Sequence, residues 1–394
     1  MKDVLRRAAA VFGFAVIVAV AMEVTCRLDD LIRYGTPIWS RVESEDDLLI
    51  HDRDGEHARP NARYQKWIIN GVGTRGPAAS ETKAPGSLRI VTVGASETFG
   101  LYESPGHEYP RQLEDSLREW VTALHCAEPP RDVEVLNAAI FGMSLPTTDA
   151  DLQTRIRRLR PDIVTVYPVP SQYLTAAAPL AATPDSTGDD TLLTASRALH
   201  PRSEERLRQQ LKAMTPHWLL TWLRRRAIRS ELADSTTGAM FAELPRDRLA
   251  LYDRDLRRVV STVRAIGAEP VLITHANWSM AGPVDTATLT AWRRFYPRTA
   301  GPVLLAFDSA GDAVVRQVAA DSGVRLVDLA GLVREHRGPL FADYAHFTDA
   351  GAALAADTIG RAVRAGPRFR AWCATPARTT ARAGWQWPRP AAHA

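Results

Sequence analysis

The chain predicts an α/β protein, a three-layer α/β/α sandwich around a parallel sheet. Two observations carry this. Short apolar runs rich in β-branched residues recur along the chain, and each is followed by a longer stretch with helical periodicity. Several of these runs end in Gly, Asn or Thr, and the residues beyond them bear reactive side chains. In such sheets ligands bind at the carboxyl ends of the strands.

The elements follow in order. Leu88 to Val93 predicts a buried strand bounded by Gly94, and Tyr109 to Leu124 an amphipathic helix. Val133 to Leu136 is a second strand ending at Asn137, and Thr147 to Leu159 a helix stopped near Pro161. Ile163 to Tyr167 is a third strand. Arg246 to Ile266 is a helix leading to a fourth strand, Pro270 to Thr274. Phe307 to Asp321 is a helix leading to a fifth strand, Val324 to Leu329, and Ala350 to Val363 closes the domain as a helix.

This divides the 394 residues into an apolar leader (1–26), a polar preface (27–86), a main domain (87–364) and a tail (365–394). The main domain is interrupted by an insertion at about 175–244, helical from Ser203 to Leu232, with Trp218 and Trp222 on one side. The tail, rich in Pro, Arg and Ala, reads as disordered.

The leader places Lys2, Arg6 and Arg7 before an apolar run from Ala8 to Met22. Three readings stay open: an uncleaved membrane anchor, a signal peptide cleaved near Ala19-Val20-Ala21, and a buried helix of a soluble protein. Either of the first two exports the remainder and leaves the positive end in the cytoplasm.

Composition excludes several classes. The apolar fraction of 45 % and charged fraction of 24 % are ordinary for a chain with a core, and the net charge is +4. No basic stripe with interleaved aromatics marks a nucleic-acid binder. Cys26, Cys126 and Cys373 have no metal-ligand spacing, so no metal site is expected. Cys126 and Cys373 are read as unpaired thiols, with pairing open in an oxidising compartment.

Chemistry concentrates in two segments. Gly94-Ala95-Ser96-Glu97-Thr98-Phe99-Gly100 joins a strand to a helix, so Ser96 sits at the sheet's carboxyl edge near backbone N–H groups able to stabilise an oxyanion. Asp343 and His346 lie three residues apart just before the last helix. One loop can present both, His346 as base for the serine and Asp343 to orient it. His275 and Asn277 follow the fourth strand and are candidate substrate contacts, although a partly buried polar histidine is the commoner case. Arg75 is read as a surface ion pair and Asp328 as structural.

The pairing resembles the SGNH/GDSL hydrolase family over roughly residues 86 to 364. Gly94-Ala95-Ser96 is similar to the family's first block, Asn137 to Gly142 to its second, and Asp343 with His346 to its last. The preface from Trp67 to Pro77, followed by the Gly-x-Ser-x-Thr-x-Gly turn, resembles the exported or membrane-anchored bacterial branch. The resemblance implies a flavodoxin-like sheet, Ser96 as nucleophile, and an oxyanion hole using the N–H groups of Ser96 and Gly142. It implies an ester-bond hydrolase acting through an acyl-enzyme without a cofactor, with an acylated carbohydrate as substrate. O-acyl transfer to a cell-envelope glycan, a glycan-binding protein that kept the fold, and a lipid-active enzyme at the membrane surface remain alternatives. The sequence departs from the pattern twice. Ala95 replaces an Asp, and Ser171 stands where the family's third block has an oxyanion-hole Asn, with Gln172 beside it, so either Ser171 or Gln172 is the candidate donor in place of that Asn.

Overall fold

The computed structural model describes residues 2–40, 45–52, 55–124, 126, 132–174, 241–336 and 338–374, with isolated positions between 216 and 222. Its centre is a five-stranded parallel sheet. In chain order the preface contributes β1 (Leu49–Asp52), β2 (Gly55–Ala58), β3 (Arg63–Tyr64) and β4 (Trp67–Ile68), which form two small antiparallel pairs. The main sheet is β5 (Leu88–Gly94), β6 (Val133–Asn137), β7 (Ile163–Tyr167), β8 (Glu269–Ile273) and β9 (Arg325–Val327), ordered β6-β5-β7-β8-β9. All four pairings are parallel. The order places β5 between β6 and β7 and is the flavodoxin-like arrangement of a doubly wound sheet.

Alternation along each strand divides the core. Val91, Val93, Val164 and Val166 face one cluster with Leu251, Leu256 and Phe307. Leu88, Ile90, Ile163 and Tyr167 face the other, with Leu113, Leu117 and Ile359. The helices covering these faces are named in chain order. α1 (Lys2–Tyr34) is the leader, α2 (Ser96–Phe99) the turn after β5, α3 (Tyr109–Leu124) the first covering helix and α4 (Leu145–Asp151) the second. Beyond the insertion come α5 (Arg246–Ala265), α6 (Trp278–Ala281), α7 (Thr286–Arg293) and α8 (Gly301–Ser322). The chain then forms α9 (Leu329–Val333), α10 (Asp349–Ala365) and α11 (Pro367–Ala374). α5 and α8 lie on the first face, and α3 and α10 on the second.

Several boundaries move. α8 begins at Gly301, six residues before the expected start at Phe307, because Pro302 sits in its first turn, where a missing N–H costs nothing. β9 stops at Val327, since Asp328 caps α9 by accepting from the Gly331 N–H at 3.1 Å. The helix expected from Thr147 begins at Leu145, where Ser144 caps it, and continues as a π-helical turn over Leu152–Ile156. The insertion, including the helix expected from Ser203 to Leu232, lies outside the described residues apart from isolated positions near Trp218 and Trp222.

α1 runs far beyond the apolar segment that suggested it. It has 33 residues, none of them buried, and an 18-residue window of mean hydropathy 2.2. At 1.5 Å per residue its length is about 50 Å. Its carboxyl end is tied to the preface. The Arg63 guanidinium donates to the Tyr34 carbonyl at 2.6 Å, and Arg27 donates to the Ile38 carbonyl at 2.6 Å.

Two corrections concern the tail and the cysteines. The chain after residue 365 continues into α11, which packs Phe369 against Trp120 at 5.4 Å between ring centroids. Trp372 donates its indole N–H to the Gly86 carbonyl at 2.7 Å. These two aromatics outweigh the Pro- and Arg-rich composition that suggested disorder, while residues 375–394 lie outside the described residues. Cys126 and Cys373, read as separate thiols, form a disulfide across a sequence separation of 247. Packing of α11 brings them together, a contact that sequence spacing does not report.

Alkylation of the unreduced, denatured protein should modify Cys26 alone, and prior reduction should expose two further thiols. Replacing Cys373 with Ser should lower unfolding free energy by about 2–4 kcal/mol in a denaturant titration.

Candidate active site

The site is assembled where β5 ends. Gly94 is followed at once by α2, so Ser96 opens a helix at the sheet's carboxyl edge. Ser96 is half-buried, while its neighbours Ala95 and Glu97 are buried. The turn is braced from two sides. The Asn137 side chain donates to the carbonyls of Thr98 at 2.9 Å and Phe99 at 3.3 Å. From the preface, Arg75 donates to the carbonyls of Phe99 and Gly100 and lies 4.8 Å above the Phe99 ring. Arg75 was expected as a surface ion pair. It is instead 5 % exposed, with Glu108 at 3.5 Å. Its own N–H donates to the Asn137 carbonyl at 2.8 Å, which sews the preface to the end of β6.

The second component is a tight loop before α10. Ala342 N–H donates to the His346 carbonyl at 2.8 Å, and Thr348 N–H to the Leu340 carbonyl at 3.0 Å. Asp343 Oδ1 accepts from the N–H groups of Ala345 and His346, both at 3.0 Å. Thr348 caps α10. The loop aims His346 at the serine.

Ser96, His346 and Asp343 form one hydrogen-bonded chain. Ser96 Oγ lies 2.9 Å from His346 Nε2, and His346 Nδ1 lies 2.8 Å from Asp343 Oδ2. With Nδ1–H donating to the carboxylate, Nε2 is left as an acceptor for the serine proton. Burial opposes charge on both members of the acid-base pair, but their mutual attraction prevails. His346 is raised above the usual histidine value by the Asp343 hydrogen bond and the nearby Glu97, Asp343 and Glu103 charges. Asp343 is held below the usual carboxylate value by His346 and the two loop N–H groups.

The remaining candidates fall on different sides of this centre. Gly142 is exposed on the loop after β6, with a positive φ of 66° that a side chain would strain. That loop lies against the serine turn through Phe141 on Phe99, 4.3 Å between ring centroids. Ser171 and Gln172 occupy a 3₁₀ turn, Pro170–Leu174, after β7. The buried Ser171 hydroxyl donates to the Tyr296 hydroxyl at 2.9 Å, so its proton is engaged away from Ser96. Gln172 donates its backbone N–H to the Val169 carbonyl at 3.3 Å. His275 and Asn277, expected as substrate contacts, are 0 % and 1 % exposed and pair with Asp308. They sit behind the site, out of reach of a substrate.

Sequence reading missed several neighbours. Tyr102 and Tyr344 pack against the His346 imidazole in edge-to-face fashion, with 5.5 and 5.6 Å between ring centroids. Burial pushes the Glu103 carboxyl up to about 7, against the pull of its own backbone N–H, Arg75 and Lys66. Glu97 follows the serine directly, and its Oε2 lies 3.3 Å from Ser96 Oγ. Its position inside the serine segment was the available signal, whereas Tyr102 and Glu103 come from a loop with no recognisable pattern.

No family model matches the chain, and no curated protein matches it. Among solved structures it is similar to a lipase/acylhydrolase from Enterococcus faecalis, at 16 % identity over 71 % of this chain and 96 % of that one, with a TM-score of 0.40. It is similar to an α/β hydrolase from the metagenome of Lake Arreo, Spain, at 16 % identity over 74 % and 98 %, TM-score 0.40. An acetylxylan esterase from Geobacillus stearothermophilus matches at 16 % identity over 70 % and 94 %, TM-score 0.38.

Replacing Ser171 with Ala should change the reaction rate of Ser96 with a fluorophosphonate by no more than about threefold. Loss of an oxyanion donor would cost on the order of a hundredfold or more. A time course of labelling for the two proteins separates these outcomes.

Proposed function

We propose that this chain is a serine esterase that acts on acylated carbohydrate, with its reactive domain exported and held at a membrane by α1. The observation that carries the reading is the hydrogen-bonded chain Ser96–His346–Asp343 at the carboxyl end of the parallel sheet. A serine hydroxyl 2.9 Å from an imidazole whose other nitrogen is fixed by a carboxylate is equipped for nucleophilic attack.

In the proposed reaction Ser96 Oγ attacks the ester carbonyl carbon while its proton passes to His346 Nε2. Asp343 holds the imidazolium that results. The tetrahedral intermediate carries its negative charge on the former carbonyl oxygen, beside the N–H groups of Ser96 and Gly142. As it collapses, the bond to the leaving alkoxide breaks and His346 returns the proton to that oxygen, which leaves an acyl group on Ser96. Water attacks this acyl-enzyme with His346 again taking a proton, and the acid and free serine are released. A sugar hydroxyl in place of that water gives O-acyl transfer by the same steps.

Two features favour a sugar ester. Tyr102 and Phe295 are 56 % and 62 % exposed, and a row of rings links them through His346 and Tyr344. Aromatic faces of this kind suit the C–H face of a pyranose while their rims stay wet. The motif resemblance to the exported branch of the SGNH/GDSL family points the same way.

Membrane attachment is supported by the apolar, wholly unburied α1 with Lys2, Arg6 and Arg7 at its start. The Cys126–Cys373 disulfide supports an oxidising compartment for the rest of the chain.

Fluorophosphonate should label the wild type and leave Ser96→Ala unlabelled, and Ser96→Ala should lose nearly all hydrolysis of acetylated oligosaccharide while keeping its thermal transition. A folded wild type that fails to label would remove the esterase reading. Because only neutral His346 accepts the serine proton and its pKa is raised, reactivity should fall on the acid side with a midpoint above the unperturbed histidine value of about 6.5. A labelling-rate profile against pH checks this.

A further inference from the structure

Behind Ser96 lies a second set of ionisable groups that the acyl-transfer steps do not use. Glu97, His275, Asp308 and Asp312 are 4 %, 0 %, 0 % and 1 % exposed. His275 stands between two carboxylates. Its Nδ1 is 2.8 Å from Asp308 Oδ1, and its Nε2 is 3.6 Å from Glu97 Oε1, an ion-pair contact longer than a hydrogen bond. Asp312 accepts from the His275 backbone N–H at 2.6 Å. Burying charges in this way costs several kcal/mol per ion unless partners compensate, and an apolar cluster of equal volume would serve stability as well or better. Stability alone is therefore a weak reason for the arrangement.

The connections lead to both ends of the Ser96–His346 couple. At one end, Glu97 Oε2 lies 3.3 Å from the serine oxygen. At the other, Asp308 Oδ2 accepts from Asn277 Nδ2 at 2.6 Å, and Asn277 in turn caps α6 by accepting from the Ser279 N–H at 3.0 Å. The first residue of that helix, Trp278, donates its N–H to the Tyr344 carbonyl at 3.0 Å. Tyr344 is the residue after Asp343, in the loop that presents His346. One buried assembly thus touches the serine turn and the Asp343–His346 loop, which the Ser96–His346 hydrogen bond also joins across 250 residues.

We infer that Glu97, His275 and Asp308 are positioning residues for the Ser96–His346 couple, a buried carboxylate–imidazole–carboxylate brace that holds a negative charge beside the serine and fixes the loop carrying His346. This rests on the serine-esterase reading. His275 acts as the clamp. Burial disfavours its cation, yet Asp308 and Glu97 raise it well above the usual histidine value. Burial likewise disfavours the Glu97 anion, but His275 and His346 hold its carboxyl at about 2. The serine hydroxyl has one proton and two acceptors. The shorter bond at 2.9 Å directs that proton to His346, and the carboxylate left beside the oxygen favours the imidazolium that forms during attack. The groups facing His346 are Asp343 and Tyr344 on its own loop, Ser96 and Glu97 on the serine turn, and Tyr102 and Glu103 on the following loop. Of these, Glu97 is the one in ion-pair contact with His275.

The test uses the full chain in detergent and the pH profile of fluorophosphonate labelling. Glu97→Gln keeps the side-chain shape and removes the charge. It should move the acid limb about one unit toward lower pH and lower the plateau rate about tenfold, since one unit of basicity corresponds to a factor of ten in imidazolium stability. Glu97→Asp should restore the limb. A Glu97→Gln protein with the wild-type limb and a plateau within about twofold would reduce the assembly to a structural ion pair and overturn the inference. Should that variant fail to fold, the wild type still decides. Nuclear magnetic resonance of histidine-labelled protein should show the His275 ring still doubly protonated above the pH at which an ordinary histidine, with its pKa of about 6.5, has lost its second proton. A His275 ring that loses that proton where an ordinary histidine does would overturn the inference. A wild type that does not label contradicts the esterase reading itself and removes this role for Glu97, an outcome distinct from a labelled wild type with an unmoved variant.

Discussion

Where β5 ends, the backbone at Gly94 passes so close to β7 and to Thr98 that a methyl group there would lie 2.8 Å from the Tyr167 carbonyl oxygen and closer still to the Thr98 side chain. Only a residue without a side chain permits this approach. The remainder of the site is built on it. The close turn lets α2 begin within two residues of the strand, so Ser96 stands at the sheet's edge and not out on a long loop. It brings the carbonyls of Thr98 and Phe99 under the Asn137 side chain and within reach of Arg75. Larger side chains at position 94 would push the turn away from β7 and separate the serine from a histidine presented by a different layer.

Around that turn the protein uses buried polar groups where most of its core uses hydrocarbon. Arg75 and Asn137 satisfy the carbonyls that the short α2 leaves unpaired, and Glu97 faces His275 in a region closed to water. Each such group would be costly alone. Together they constrain the turn more tightly than apolar packing could, because hydrogen bonds fix directions as well as distances. The preface belongs to this arrangement. Leu48, Trp67 and Ile69 pack with Phe99, Ile140 and Met143 in a third apolar cluster, so the segment between α1 and the main domain forms one wall of the serine turn.

The parallel sheet, its five strands and the covering helices were legible because each strand is a short β-branched run and each helix a long periodic one. The Gly-x-Ser turn and the Asp-x-x-His loop were legible because each is a local pattern. What escaped the sequence depends on contacts between distant segments. The Cys126–Cys373 bond needed α11, whose anchors Phe369 and Trp372 are isolated aromatics in a Pro-rich stretch. His275 and Asn277 carried the correct signal, polar residues at a strand's carboxyl end, but that signal does not say whether a side chain turns outward to substrate or inward to Asp308. Ser171 was placed by analogy with a missing Asn, and a hydroxyl that short finds its partner in Tyr296 instead. Arg75 was assigned to the surface because arginine usually lies there, and two backbone carbonyls with a carboxylate make it an exception.

In the proposed reaction Ser96 becomes acylated with His346 as its base. The most direct measurement is mass-spectrometric mapping of the protein quenched with acid shortly after mixing with an acetylated oligosaccharide or an activated acetyl ester. One acetyl group should appear on the peptide containing Ser96, and it should be absent from the same peptide of the His346→Ala protein. An acetyl group found on another residue, or equal acetylation of Ser96 when His346 is missing, would contradict the account.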